Sequence, residues 1–215
     1  MTVIRRPYGA RVLDGLLPLT CPGCGGRGEP VCSACAATLR RAPDAVRPPP
    51  GVDDWVAAFD YRGVARELVA RAKYRNVRAV VPWLAACMVD AAAARGLIAD
   101  VVTWAPTTGA RRRARGFDPA ELIARAVARG LRSRCTVLLL RRPGPPQTGL
   151  PAAARRRGPR FEPRRRVPYS VLLVDDVATT GATLSAAAVA LRDGGALRVV
   201  ALVAARTPAP GERAG

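Results

Sequence analysis

The chain has 215 residues, room for one full domain and a small appendage. Hydrophobic residues make up 49% of it, which excludes wholesale disorder, and no apolar run nears the roughly 18 residues that a bilayer span requires. The formal charge is +19, from 35 basic and 16 acidic side chains, an excess that suits a polyanionic partner such as nucleic acid. Lys73 is the only lysine, however, and a chain heavy in Arg, Ala, Gly and Pro is also what a GC-rich coding sequence yields without any ligand. The acids have not risen to compensate, so both explanations stay open.

Arg5 and Arg6 precede "VLDGLLPLT", which is short and contains Asp14, a poor secretory signal; a cytoplasmic protein is expected. Residues 1–45 form a Cys-rich head. Cys21, Cys24, Cys32 and Cys35 give C-x2-C-x7-C-x2-C, in which each C-x2-C presents two thiolates to one tetrahedral ion. Gly23, Gly25 and Gly26 permit the tight turns. With no histidine in the chain, a structural four-thiolate zinc site is the natural assignment. Disulfides and an iron–sulfur cluster are the alternatives, the former disfavoured because nothing indicates export. A head this small needs the ion to fold. Cys87 and Cys135 sit in apolar contexts and read as core.

"APDAVRPPPG", Ala42 to Gly51, reads as a semi-rigid proline linker. After it, helix and strand alternate. "WVAAFDY" predicts a strand, and Val64, Leu68, Val69 and Ala72 a helical stripe ending near Lys73. "PWLAACMVDAAAARG" predicts a helix with Pro82 early and Gly96 as its stop. "DVVTWAP" is a short buried strand that leads into a loop. "DPAELIARAVARG" starts a helix with Asp118 as cap, Pro119 in the first turn and Glu121 at capping-box spacing. "TVLLLRR" is a strand, Val171 to Val174 another. The helix after it carries Leu184, Ala187, Ala188 and Leu191 on one face and ends at Gly194-Gly195. "LRVVALVAA" is the last strand. Strands separated by helices imply an α/β fold, a mostly parallel sheet covered on both faces. Between Arg142 and Val167 no apolar period survives, and a long loop, a lid or binding segment, is expected.

"VLLVDDVATTGATL" carries the chemistry. Ligands of open parallel sheets sit outside the carboxyl ends of the strands, where this run puts two adjacent carboxylates. Asp175 and Asp176 can accept hydrogen bonds from a polyol or hold a cation. The small hydroxylated stretch that follows suits backbone N–H groups converging on an anion, and Gly181 lets the oxygens approach. A sugar phosphate satisfies both halves. Receiver domains also join apolar residues to Asp-Asp, but near the start of the fold; a Walker loop would need Gly-Lys-Ser/Thr, which is missing. An ordinary strand-turn-helix with Asp and Thr as caps leaves the repulsion of two consecutive acids unexplained.

At these residues the chain resembles the type I phosphoribosyltransferases, whose signature is an apolar strand, Asp-Asp and Thr-Thr-Gly-x-Thr. The resemblance implies that Asp175 and Asp176 are the catalytic acids and hold the ribose hydroxyls of phosphoribosyl pyrophosphate (PRPP), bound with Mg²⁺. It also implies that Ala178, Thr179, Thr180, Gly181, Ala182 and Thr183 form its 5′-phosphate site, with Val177 among the PRPP-binding residues. The four-Cys head, "KYR", "RARGFD" and "Q-T-G-L" make nearly the whole chain similar to the ComF family. Its members join a zinc-binding N-terminus to a phosphoribosyltransferase-like domain, here 52–215, and several are linked to DNA uptake in natural competence. A protein partner from the competence machinery is implied with it. The family's usual Arg-Gly-Phe-Asn-Gln is here Arg115-Gly116-Phe117-Asp118-Pro119, and its Asn after the Gln-Leu element is absent around Gly158.

By position "TWAPTTGARRRARG" resembles the family's pyrophosphate-side loop, with Pro106 and Thr107 at the turn. Arg111, Arg112, Arg113 and above all Arg115 are candidates to neutralise diphosphate. Each is also readable as part of a solvated charge run. Lys73, near a strand mouth, and Gln147, which matches the family's Gln, complete the PRPP-binding candidates. Arg155, Arg156, Arg157, Arg160 and Arg164 to Arg166 form a strip suited to a phosphate backbone. Phe161 and Tyr169 are fewer aromatics than a single-strand stacking platform normally offers. Two functions follow: transfer of phosphoribosyl to a nitrogen acceptor, or a catalytically silent accessory protein that binds single-stranded DNA and keeps the pocket as sensor or scaffold.

Overall fold

The computed structural model describes residues 20–27, 29–43, 46–72, 79–142 and 159–208. A short helix, α1 (Ser33–Ala37), lies in the Cys head. Then follow β1 (Asp54–Asp60), α2 (Gly63–Ala72), α3 (Val80–Arg95), β2 (Val101–Trp104), α4 (Gly109–Arg115) and α5 (Pro119–Gly130). The second half holds β3 (Arg134–Cys135), β4 (Leu139–Arg142), β5 (Arg160–Pro163), β6 (Ser170–Ala178), α6 (Ala182–Asp193) and β7 (Arg198–Arg206). Five strands form one parallel sheet in the order β1-β7-β6-β2-β3, and β4 and β5 form a separate antiparallel ribbon.

The apolar runs of β6 and β7 are continuous because both faces of the sheet are covered. Leu172, Val174, Val200 and Leu202 pack with Val102 and Trp104 under α2, α3 and α5. Val171, Leu173, Val199, Ala201 and Val203 face the other way, toward Leu184, Ala187, Ala188 and Leu191 of α6 and toward Leu139 and Phe161 of the ribbon. Period-two alternation in the strands thus meets period-3.6 stripes on the helices. The helix stops fall where glycine chemistry puts them: Gly96 closes α3 at φ 68°, a left-handed cap.

This layout creates a crevice. β2 leads through α5 to β3 on one side, whereas its neighbour β6 leads through α6 to β7 on the other. α5 and α6 lie on opposite faces. Chain leaves two adjacent strands in opposite directions, and open α/β sheets bind ligands between the carboxyl ends of such strands.

Three expectations need correction. Only the second half of the predicted strand Thr136–Arg142 is strand: it is β4, which leaves the sheet to pair with β5, whereas the sheet's edge strand β3 is the preceding pair Arg134–Cys135. The cause is burial of Leu138 and Leu139 in the α6-side core, fixed by a hydrogen bond from the Leu138 amide to Thr103 Oγ1 (3.3 Å). Part of the stretch 142–167, expected to be loop throughout, is therefore strand; Phe161 is its one buried residue in β5, too weak a pattern to read. The loop expected after β2 contains α4, capped by Thr108 Oγ1, which accepts from the Arg111 amide, and by Gly116 at φ 75°. α4 buries no side chain, so it leaves no apolar period. Lys73, Gln147, Arg155 to Arg157 and Gly158 lie outside the described residues.

The proline-rich segment is packed down. Trp55 Nε1 donates to the Val46 carbonyl (2.9 Å), the Val52 amide to Pro49 (3.0 Å), and Arg192 Nε on α6 to Gly51 (3.1 Å). The head docks beside β1 through an antiparallel bridge between Arg41 and Phe59 and a bond from the Asp60 amide to the Arg40 carbonyl (3.0 Å).

Candidate functional site

β6 runs through both acids. It pairs with β2 only as far as Val174 opposite Trp104, while β7 accompanies it to Ala178 opposite Arg206. One further bond, from the Ala105 amide to the Val174 carbonyl (3.1 Å), closes the β2 side. From Asp175 onward, the flank of β6 that faces the crevice has no strand beside it among the described residues. Strict alternation also ends here: Val177 packs on the same side as Val174, and Ala178 on the same side as Leu173. Asp175 is buried and Asp176 half-buried, and the Asp176 amide donates to Asp175 Oδ1 (2.9 Å). Ala178, expected in the phosphate turn, belongs to the strand with Val177, so the turn proper is Thr179 to Gly181.

Gly181 caps α6 at φ 74°, a left-handed geometry that side chains resist, and a Cβ there would come 3.0 Å from Pro49 Cγ. Thr180 Oγ1 accepts from the Ala182 amide (3.4 Å). Thr179 and Thr180 are exposed, and Thr183 is half-buried in the first turn of the helix. Opening amides of a helix have no intrahelical acceptor and carry partial positive charge. The turn thus offers hydroxyls and N–H groups together.

Across the crevice, Ala105 to Thr108 continue β2, with Pro106 and Thr107 half-buried. Asp118 pins this turn. Its Oδ2 accepts from the Thr107 amide (2.8 Å) and its Oδ1 from Ala120 at the start of α5 (3.1 Å). Asp118 thus uses both carboxylate oxygens, where an Asn would present one acceptor. Burial raises the Asp118 pKa above its usual value, although its backbone hydrogen bonds pull the other way. Glu121 pairs with Arg125 (2.9 Å). Arg115 is half-buried on the last turn of α4, and Arg111, Arg112 and Arg113 are exposed.

Two charged groups near the strand tips were not anticipated. Arg141, on β4, donates from Nη1 to the Pro106 carbonyl (3.2 Å) and lies over the Phe161 ring (5.5 Å). Its pKa is lowered by burial and then by the charge of Arg111, against opposing pulls from Asp175 and Asp118. Only the ribbon pairing, invisible in the sequence, brings it to the site. Arg206 ends β7, with Nη2 at 3.6 Å from Asp60 Oδ1 at the tip of β1; their side chains are 4% and 12% exposed.

In the head, the Sγ atoms of Cys21, Cys24, Cys32 and Cys35 all lie within 4.8 Å of one another, a group that could hold a metal ion. Cys24 and Cys32 are 3.6 Å apart, beyond any disulfide length, and all four cysteines are free. The Gly26 amide points at Cys24 Sγ (3.4 Å) and the Cys35 amide at Cys32 Sγ (3.5 Å). A Cβ on Gly23 would sit 2.8 Å from Cys35 Sγ, so the first knuckle closes only around glycine. Burial and the neighbouring sulfurs push Cys35 up to about 12.

No protein-family model and no curated protein matches the chain. Solved structures that resemble it include the allosteric regulatory enzyme of purine biosynthesis, at 20% identity and TM-score 0.42, over 63% of this chain and 30% of that one. A purine phosphoribosyltransferase from Pyrococcus horikoshii Ot3 is 15% identical, with TM-score 0.37, over 60% of this chain and 83% of that one. Orotate phosphoribosyltransferase from Aeropyrum pernix is 18% identical, with TM-score 0.34, over 66% and 76%.

Replacing Gly181 by Ala forces a side chain into left-handed backbone and against Pro49. A stability loss of about 1–2 kcal/mol is expected, read as a lower urea midpoint at unchanged slope.

Proposed function

We propose that the protein binds Mg²⁺-PRPP in the crevice between β2 and β6 and transfers its phosphoribosyl group to a nitrogen nucleophile. The observation that carries this reading is the pairing of two different walls at one switch point. One wall is the acid pair and threonine turn of β6–α6; the other is the Pro106–Thr107 turn held by Asp118. Polyol and phosphate recognition thus sit across from a second turn flanked by arginines, which matches the layout of a sugar carrying phosphoryl groups at both ends.

In this reading Asp175 and Asp176 accept the ribose hydroxyls, and Thr179 to Thr183 hold the 5′-phosphate. The diphosphate faces Pro106, Thr107 and Arg115, with Lys73 and Gln147 assigned by the resemblance alone. The bond from C1′ to the diphosphate oxygen breaks as the bond from nitrogen to C1′ forms. Positive charge developing at the sugar is stabilised by the nearby acids, and fixed cations stabilise the leaving group without reorganising. When bound, Mg²⁺ neutralises diphosphate charge. The proton shed by the nitrogen passes to the departing diphosphate or to water, so no histidine base is required. The likeness to the ComF family extends the proposal to a role in DNA uptake.

Zinc is the proposed occupant of the head. Tetrahedral Zn–S bonds of about 2.3 Å put thiolates about 3.8 Å apart, close to the Cys24–Cys32 separation of 3.6 Å. Its role is structural: four protein ligands leave no open position.

A second reading, a DNA-binding accessory protein, draws on one feature. Arg125, Arg164 and Arg165 line a cavity of about 470 Å³ with Cys135, Thr136 and Val137 at the sheet edge.

Calorimetry should show uptake of Mg²⁺-PRPP that weakens at least tenfold when Asp175→Asn and Asp176→Asn are combined; no heat in the wild type, or no effect of the substitutions, sinks the binding reading. PRPP-dependent diphosphate release across a panel of bases and amines then separates transfer from silent binding. Mass spectrometry of the metal should find one equivalent of zinc in the wild type and less in Cys24→Ser; none in the wild type overturns the zinc assignment. For the second reading, log affinity for single-stranded DNA should fall steeply with log salt, and a flat line would show that arginines meet no phosphates.

A further inference from the structure

Arg141 is a half-buried cation whose surroundings do not satisfy it. Among the described residues it forms no salt bridge. Its one hydrogen bond goes to the neutral Pro106 carbonyl, which takes one of five guanidinium donors. Neither acid that attracts it forms an ion pair with it: Asp118 accepts backbone amides on both oxygens, and Asp175 Oδ1 accepts the Asp176 amide. Arg111, on α4 just after the same turn, adds a like charge that lowers the Arg141 pKa. Two cations that converge on one turn, one of them partly desolvated, leave room in the electrostatics for an anion between them.

We infer that Arg141, carried by the β4–β5 ribbon, is a binding residue for the diphosphate half of the ligand, and that it acts with Arg111 of α4. The inference rests on the proposed function, and it goes further by adding a residue from outside the parallel sheet. Phe161 fixes the guanidinium from below, at 5.5 Å from ring centroid to Cζ, and the Pro106 carbonyl fixes one of its edges. Remaining donors form the planar fork that suits paired phosphate oxygens. The ribbon thereby becomes part of the site's wall.

The test compares two probes by calorimetry on the full chain: inorganic pyrophosphate and ribose 5-phosphate. Arg141→Gln should weaken pyrophosphate about tenfold or more, the loss of a charge-assisted contact, and change ribose 5-phosphate by less than about twofold. Arg141→Lys keeps the cation and loses the fork, so a smaller, several-fold loss for pyrophosphate alone is expected. Unchanged pyrophosphate affinity in either variant, or equal losses for both probes, overturns the assignment; the latter marks a purely structural anchor. Should Arg141→Gln not fold, as judged by circular dichroism, Arg141→Lys decides by the same criteria. If the wild type takes up ribose 5-phosphate but not pyrophosphate, the Arg141 assignment fails while the sugar-phosphate reading stands. If it takes up neither, both fail.

Discussion

Beyond Val174 the strand β6 keeps a strand partner on the β7 side and loses the one on the β2 side. Everything chemical about the crevice follows from that asymmetry. A strand flanked on both sides spends its edge groups on the sheet; one flanked on a single side can turn its next residues toward a ligand without leaving the fold. β6 does so at Asp175 and Asp176, where its alternation also ends. Two like charges are tolerable there because the backbone of Asp176 donates to Asp175 and because Arg141 bears on the same point. The divergent exits of β2 and β6 then keep helices from covering the gap.

Legibility in the sequence tracked how much apolar surface each element buries. β6, β7, α3, α5 and α6 have dense stripes or runs and were recognisable with their stops and caps, Asp118 and Gly96 among them. Elements that bury little were not. α4 covers no core, so its seven residues looked like loop. β5 rests on Phe161 alone, and β3 is two residues long. The acid pair and the threonine turn were visible because local order in the chain places them side by side. Arg141 could not be found that way: its partners at Pro106 and Phe161 are distant in sequence, and only the ribbon's register joins them. The same holds for Asp118, whose capping role was readable while its grip on Thr107 was not.

The proline-rich segment also reads differently in three dimensions. Composition suggested a spacer between head and sheet. Its carbonyls instead accept from Trp55, Val52 and Arg192, and Pro49 comes to rest against the glycine that opens α6. Residues 46–51 thus pack against the sheet and the opening of α6, and the head meets β1 through the Arg41–Phe59 bridge.

Asp60 and Arg206 close the tips of β1 and β7 with a charge pair nearly sealed from water. Removing one member of such a pair strands its companion in a poor dielectric, at a cost of about 3–5 kcal/mol, whereas exchanging both for well-packed apolar groups is often harmless. The two positions, 146 residues apart in the chain, are therefore coupled energetically: replacing both together disturbs the fold less than replacing either alone.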